Sequence, residues 1–200
     1  MIDPTKNDIV EHIPLKYLSL RKMVHIGGVV VPIIAVVCGK IYAISIVSYF
    51  MIIFLLMELL KSKVQILAAL RPLLKDNEYK GFAADPFLYF AFILLLLLLS
   101  FYFDEGICYA SIVVLTVGDG ISTVAGVHGK RYYRDSNKTI EGAVAGTIAA
   151  TVIGFPFVGA LVFVGSVAGM IAEITSKRFD NITVPVAAFV SMVVVKYVIG

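Results

Sequence analysis

Seven apolar runs follow one another along the chain, at 24–39, 41–60, 86–103, 106–126, 142–155, 157–174 and 183–199. Each approaches the roughly 20 predominantly apolar residues a helix needs to cross a hydrocarbon core. The pattern predicts an all-α, polytopic transmembrane helix bundle of about seven spans. The third run is the clearest, because Phe90 to Phe103 is Leu-rich and carries no charge. The fifth run is short. Only Phe155-Pro156-Phe157 separates it from the sixth, so the two read either as a tight hairpin or as one long kinked helix.

The polar connections alternate in character. Lys16, Arg21 and Lys22 precede the first run, and Lys61, Lys63, Arg71, Lys75 and Lys80 follow the second. Lys130, Arg131, Arg134 and Lys138 follow the fourth, and Lys177 and Arg178 follow the sixth. The intervening connections hold only Lys40, then Asp104-Glu105, then Phe-Pro-Phe. Short loops rich in Lys and Arg favour the cytoplasmic side, so an odd number of spans and a cytoplasmic N-terminus agree. Residues 1–200 then form a single transmembrane domain, with 61–85 and 127–141 as cytoplasmic loops. The 61–85 stretch reads either as a short surface helix, with Leu67, Leu70 and Leu74 at helical spacing, or as a solvated loop. Met1 to Ser19 is polar, and no cleavable signal is expected there.

Composition narrows the class further. Of 200 residues, 60% are hydrophobic and 16% charged, with a mean hydropathy of +0.94. A soluble domain carries about a quarter charged residues. The net charge of +3 lies between apolar runs, which points to phospholipid or nucleotide rather than to nucleic acid. Cys38 and Cys108 sit singly in apolar runs and read as small buried hydrophobes, with no zinc or redox pattern.

Against this background the polar residues inside or beside the runs stand out. Asp119, in Val117-Gly118-Asp119-Gly120, lies well inside the fourth run, where a charge is costly. A carboxylate facing a polar cavity suits Mg²⁺, which takes oxygen ligands; pairing with a Lys of another helix is the structural alternative. The stretch from Gly126 through Gly129, Lys130, Lys138, Thr139 and Glu141 to Gly142 joins glycines and cations to a helix start. Ser136 or Asn137 is placed to cap that helix, and the free N–H groups near Lys138 and Thr139 suit a phosphate. Glu141 also fits the first helical turn for its own sake. Glu173 stands at a helix C-terminus, against the macrodipole. Asp180, Asn181 or Thr183 is placed to cap the last helix, with Pro185 in its first turn. Arg21, Lys22 and His25 fall at headgroup depth, where they can hold phosphate or anchor the helix. Glu58 has helical spacing to Lys61 and Lys63.

Four of these pieces occur in the same order in the CTP-dependent polyprenol kinases, the family of dolichol kinase and phytol kinase, which this chain resembles. They are Arg21-Lys22-x-x-His25, Gly118-Asp119-Gly120, Gly129-Lys130…Lys138-Thr139-x-Glu141-Gly142, and Glu173…Asp180-Asn181-x-Thr183-x-Pro185, across residues 21 to 190. The related CDP-diacylglycerol synthases share an Asp and a Lys-Thr-x-Glu-Gly stretch but end in a different signature. The resemblance implies a membrane kinase with CTP as donor, Mg²⁺ as cofactor and an isoprenoid or other lipid alcohol as acceptor. It carries over Asp119, Lys130, Lys138, Thr139, Glu141, Glu173, Asp180 and Asn181 as the nucleotide, metal and catalytic set. One departure is plain. Val127 and His128 stand between Gly126 and Gly129, where the family has a longer loop with an Arg; Lys130, Arg131 or Arg134 is left to substitute.

On this reading Asp119, with Glu173 or Asp180, holds Mg²⁺. Gly126, Gly129, Lys130, Lys138, Thr139 and Asn181 receive the nucleotide. Glu141 or Asp180 accepts the alcohol proton, and Arg21, Lys22 and His25 meet the headgroup. Two other activities share the residues: cytidylyl transfer to a lipid phosphate, and, with weaker support, ion-coupled transport. The expected partners are CTP, the lipid alcohol and the bilayer, with no nucleic acid; a homo-oligomer is compatible with all of this.

Overall fold

A computed structural model of the chain describes residues 22–60, 82–133, 138–176 and 179–199. Among them the chain forms seven helices: α1 (Lys22–Val37), α2 (Lys40–Leu60), α3 (Ala84–Leu99), α4 (Glu105–Gly126), α5 (Ile140–Val158), α6 (Leu161–Thr175) and α7 (Asp180–Val198). Arg21, the proposed surface helix at 61–85, Lys61 and Lys63 as partners of Glu58, and the caps Ser136 and Asn137 fall wholly or mainly outside the described residues. Four helices, α2, α4, α5 and α7, are long and apolar enough to cross a membrane, while α1, α3 and α6 are shorter. Sixteen residues of α3 rise about 24 Å, less than the roughly 30 Å of a hydrocarbon core.

The fifth and sixth runs are two helices, not one kinked helix. The break is not at Phe-Pro-Phe: Pro156 lies inside α5, and the chain turns at Gly159, whose φ of +60° favours a residue without a side chain. Pro156 forfeits the one bond its N–H would make to the Val152 carbonyl, yet the helix runs on to Val158, so it does not force the turn itself.

α4 is the central helix. Residues 107 to 120 are all buried, and α1, α3, α5, α6 and α7 pack around it, with α2 lying outside against α1 and α3. Small residues at the helix contacts make this closeness possible. A Cβ at Gly146 of α5 would lie 2.5 Å from the Gly118 carbonyl oxygen, so α5 touches the α4 backbone at the turn before Asp119. Buried hydroxyls in α4 turn back on their own helix, Ser111 donating to Ile107 O and Thr116 to Ile112 O.

Within α4, Val114–Gly118 form a π turn directly before Asp119. One added residue rotates all that follows by roughly 100° about the axis, at 3.6 residues per turn. The aim of Asp119 is thus set by this turn.

Polar contacts gather at the two ends of the bundle. At one end the starts of α1, α3, α5 and α7 meet the ends of α2, α4 and α6. There Glu58 accepts from Ala83 N, and Asn181 Nδ2 donates to Asp85 O. At the other end Lys40 pairs with Glu105 and donates to Ser100 O, and Lys196 pairs with Asp104.

Candidate functional site

The first end holds the polar core of the molecule. Asp119 is only 2% exposed. Lys22 Nζ donates to its Oδ2 at 2.7 Å, and His25 Nε2 lies 3.2 Å from the same oxygen and 3.1 Å from Leu115 O. Lys22 and His25 come from one face of α1, three residues apart, so a single helical turn delivers both. Tyr89 of α3 fixes that turn: its hydroxyl donates to His25 O at 2.7 Å, and its ring lies 4.2 Å from the His25 ring.

A second group faces the first. Glu173, in the last turn of α6, is also 2% exposed. Lys138 Nζ lies 3.2 Å from Glu173 Oε1 and 2.8 Å from Asp180 Oδ2, and it donates to the Glu173 carbonyl as well. The start of α5 places Lys138, the end of α6 places Glu173 and the start of α7 places Asp180, so three helix ends bring these charges together.

Carboxylate oxygens of Asp119, Glu173 and Asp180 lie within 4.8 Å of one another. The lysines occupy one oxygen of each acid. The others, Asp119 Oδ1, Glu173 Oε2 and Asp180 Oδ1, are buried without a hydrogen-bond partner. Leaving buried carboxylate oxygens bare is costly, so three neighbouring acids from three helices, each with one such oxygen, are a specific feature. Three hard oxygen donors in this arrangement fit a divalent cation such as Mg²⁺, which takes oxygen ligands.

Other residues singled out in the sequence lie elsewhere. Glu141 is exposed, and both its oxygens accept from Arg131 N at 3.2 Å. It closes the turn before α5 and does not join the three acids. Asn181 directs its amide to Asp85 O at 2.9 Å, a helix-to-helix tie. Thr139 is the N-cap of α5, its hydroxyl accepting from Gly142 N and donating to Gly126 O. Gly126 and Gly129 serve this same cap: a Cβ on Gly129 would lie 2.4 Å from Thr139 Oγ1. Lys130 is exposed on the turn that follows Gly129.

The expected caps of α7 are also reassigned. Phe179 is the N-cap residue and Ser176 Oγ accepts from its N–H. The Asp180 carboxylate is turned to Lys138, and the Thr183 hydroxyl donates back to Phe179 O. Pro185 is the sixth residue of α7, beyond its first turn. Tyr89 was not legible as a site residue, since a tyrosine in an apolar run gives no signal beyond its hydroxyl.

Comparison with models of known protein families gives no match, and no solved structure matches. An uncharacterized protein of Methanocaldococcus jannaschii is 36% identical over 87 residues, which take in 41% of this chain and 45% of that relative's length. The matched part is thus less than half of either protein.

Proposed function

We propose that this protein is a multi-pass membrane enzyme that transfers the γ-phosphate of CTP to a lipid alcohol of the isoprenoid class, with Mg²⁺ as cofactor. The observation that carries the reading is the set of three bare carboxylate oxygens flanked by Lys22 and Lys138 at one end of an apolar bundle. Phosphoryl transfer asks a protein mainly for position and charge neutralisation, and these residue types supply both. The choice of CTP and of a polyprenol-like acceptor rests on the motif order shared with the polyprenol kinases.

The seven helices are read as seven spans, the shorter ones reaching the interfaces through their polar ends. The basic connections put the N-terminus and the site on the cytoplasmic side. Asp119, Glu173 and Asp180 would hold the Mg²⁺, which when bound offsets charge on the phosphates. Lys138 and Lys130 are the cations available to phosphate oxygens. Of the two acids considered as proton acceptor, Asp180 stands at the cluster while Glu141 is committed to Arg131 N, so Asp180 takes that role. Lys22 and His25 hold Asp119, and the acceptor's hydroxyl enters at this end with its tail among the helices.

The test is incubation of the purified protein in liposomes with γ-labelled CTP, Mg²⁺ and a panel of lipid alcohols. Label should appear in the lipid. Label in pyrophosphate would mean cytidylyl transfer, and flux of ions without any transfer would mean a transporter.

A further inference from the structure

Lys138 occupies an unusual position for a nucleotide ligand, because its ammonium sits inside the acid cluster. It contacts Glu173 Oε1 and Asp180 Oδ2 and donates to the Glu173 backbone carbonyl, and each acid keeps its other carboxylate oxygen bare. Its backbone is held, the carbonyl accepting from Tyr133 N at 2.9 Å and the next residue capping α5. Its side chain is 23% exposed, against 13% for Lys22 on Asp119. Because the backbone is held independently of the ammonium, the four-carbon stem can swing without unfolding the turn, while Lys22 of α1 is more deeply buried against Asp119 of α4.

We infer that Lys138 is an exchangeable counter-ion: it holds Glu173 and Asp180 together when no cation is bound and leaves them for a phosphate oxygen when a divalent cation enters. This rests on the proposed cation site. The reason is electrostatic. Two carboxylates this close repel unless a positive charge stands between them. One ammonium gives a single charge and reaches one oxygen of each acid. A dication meeting the bare oxygens removes most of the attraction that keeps the ammonium there. A strongly hydrated ammonium on a flexible stem then moves to the nearest anion, which in the working enzyme is the nucleotide. The same residue thereby couples cation binding to nucleotide binding.

The experiment uses the full chain in nanodiscs with Mn²⁺ as the probe, its free form read by electron paramagnetic resonance. Lys138→Met, which removes the competitor, should bind Mn²⁺ roughly tenfold more tightly than wild type, within the usual range for coupled sites. It should also bind CTP more weakly in saturating Mn²⁺, and a merely structural lysine would not move the two affinities in opposite directions. In the wild-type protein, acetylation of Lys138 by an amine reagent, read by mass spectrometry, should rise severalfold on adding Mn²⁺. This second measurement stands even where the variant misfolds. Equal or weaker Mn²⁺ binding by the folded variant, or labelling that Mn²⁺ does not change, overturns the exchange while leaving the cation site intact. Glu173→Gln separates the two ideas: wild-type protein that binds Mn²⁺ no better than this variant overturns the site itself, and the exchange with it.

Discussion

Lys22 and Asp119 are 97 residues apart in the chain and 2.7 Å apart in the fold. Their side chains are 13% and 3% exposed, so the pair is nearly out of reach of water. Removing one partner of a buried pair strands the other and costs about 3–5 kcal/mol. Lys22→Met should therefore lower the thermal midpoint sharply, and Lys22→Met/Asp119→Asn should recover part of the loss. Asp119→Asn alone should insert in the membrane and lose phosphoryl transfer. Thermal unfolding in detergent and the γ-label assay check the two effects, and near-normal turnover by Asp119→Asn would remove that residue from the mechanism.

Tyr89 gives a prediction that separates contact from bulk. Tyr89→Phe loses the bond to His25 O, worth about 1 kcal/mol. Gly28 makes room for that hydroxyl, since a Cβ there would lie 1.8 Å from Tyr89 Oη and 2.8 Å from Thr116 Cγ2. Gly28→Ala should be severely destabilising in the wild type. In a Tyr89→Phe background it should cost less, because the worst collision is gone while the Thr116 one remains. Stability measured across the four proteins would show additive effects if the two residues do not meet.

How far the sequence could be read depends on what each signal encodes. Apolar runs report the number and order of helices, since burial in lipid or protein constrains every residue in them. Asp119 and Glu173 were legible because an acid in an apolar helix or at a helix C-terminus contradicts its surroundings. Asp180, Asn181 and Thr183 form a pattern shared by caps and ligands, and only the fold separates them. Asp180 turns to Lys138, Asn181 to Asp85 and Thr183 to its own helix. Gly126 and Gly129 resemble a phosphate loop in sequence, yet they close around Thr139, because the demand for a missing Cβ is the same in both uses. The π turn before Asp119 has no signature in an apolar run, although it decides which way the acid points.

Glycines at the helix contacts provide a third prediction with its own control. At Gly146 a Cβ would meet the Gly118 carbonyl oxygen at 2.5 Å and Met170 Sδ at 2.7 Å. Backbone cannot yield as a side chain end can, so Gly146→Ala should push α5 from α4 at a cost of about 1–3 kcal/mol. Activity should fall more than stability, since the contact lies one residue before Asp119. Gly27 has nothing within 4 Å of a built Cβ, so Gly27→Ala should be neutral or stabilise α1 by up to about 1 kcal/mol. Equal losses from both substitutions would contradict the close α4–α5 contact.

The other end of the bundle predicts a pH dependence independent of the acid cluster. Asp104 caps α4, accepting from Ile107 N at 3.0 Å, and pairs with Lys196 near the end of α7. Burial by itself would raise its carboxyl, but the Lys196 ammonium and the N–H groups of Ile107 and Gly106 outweigh this and hold it below the usual carboxylate range. A depressed folded-state value means the unfolded chain takes up a proton first as pH falls. The stabilisation is then whole above the unfolded value of about 4 and is lost as pH drops through the folded one. Asp104→Asn keeps a cap but no charge. Its thermal midpoint should lie below wild type at pH 7, by an amount constant down to about pH 5, and the gap should close below about pH 4. A gap that persists unchanged at low pH would assign the effect to the cap and not to the ion pair.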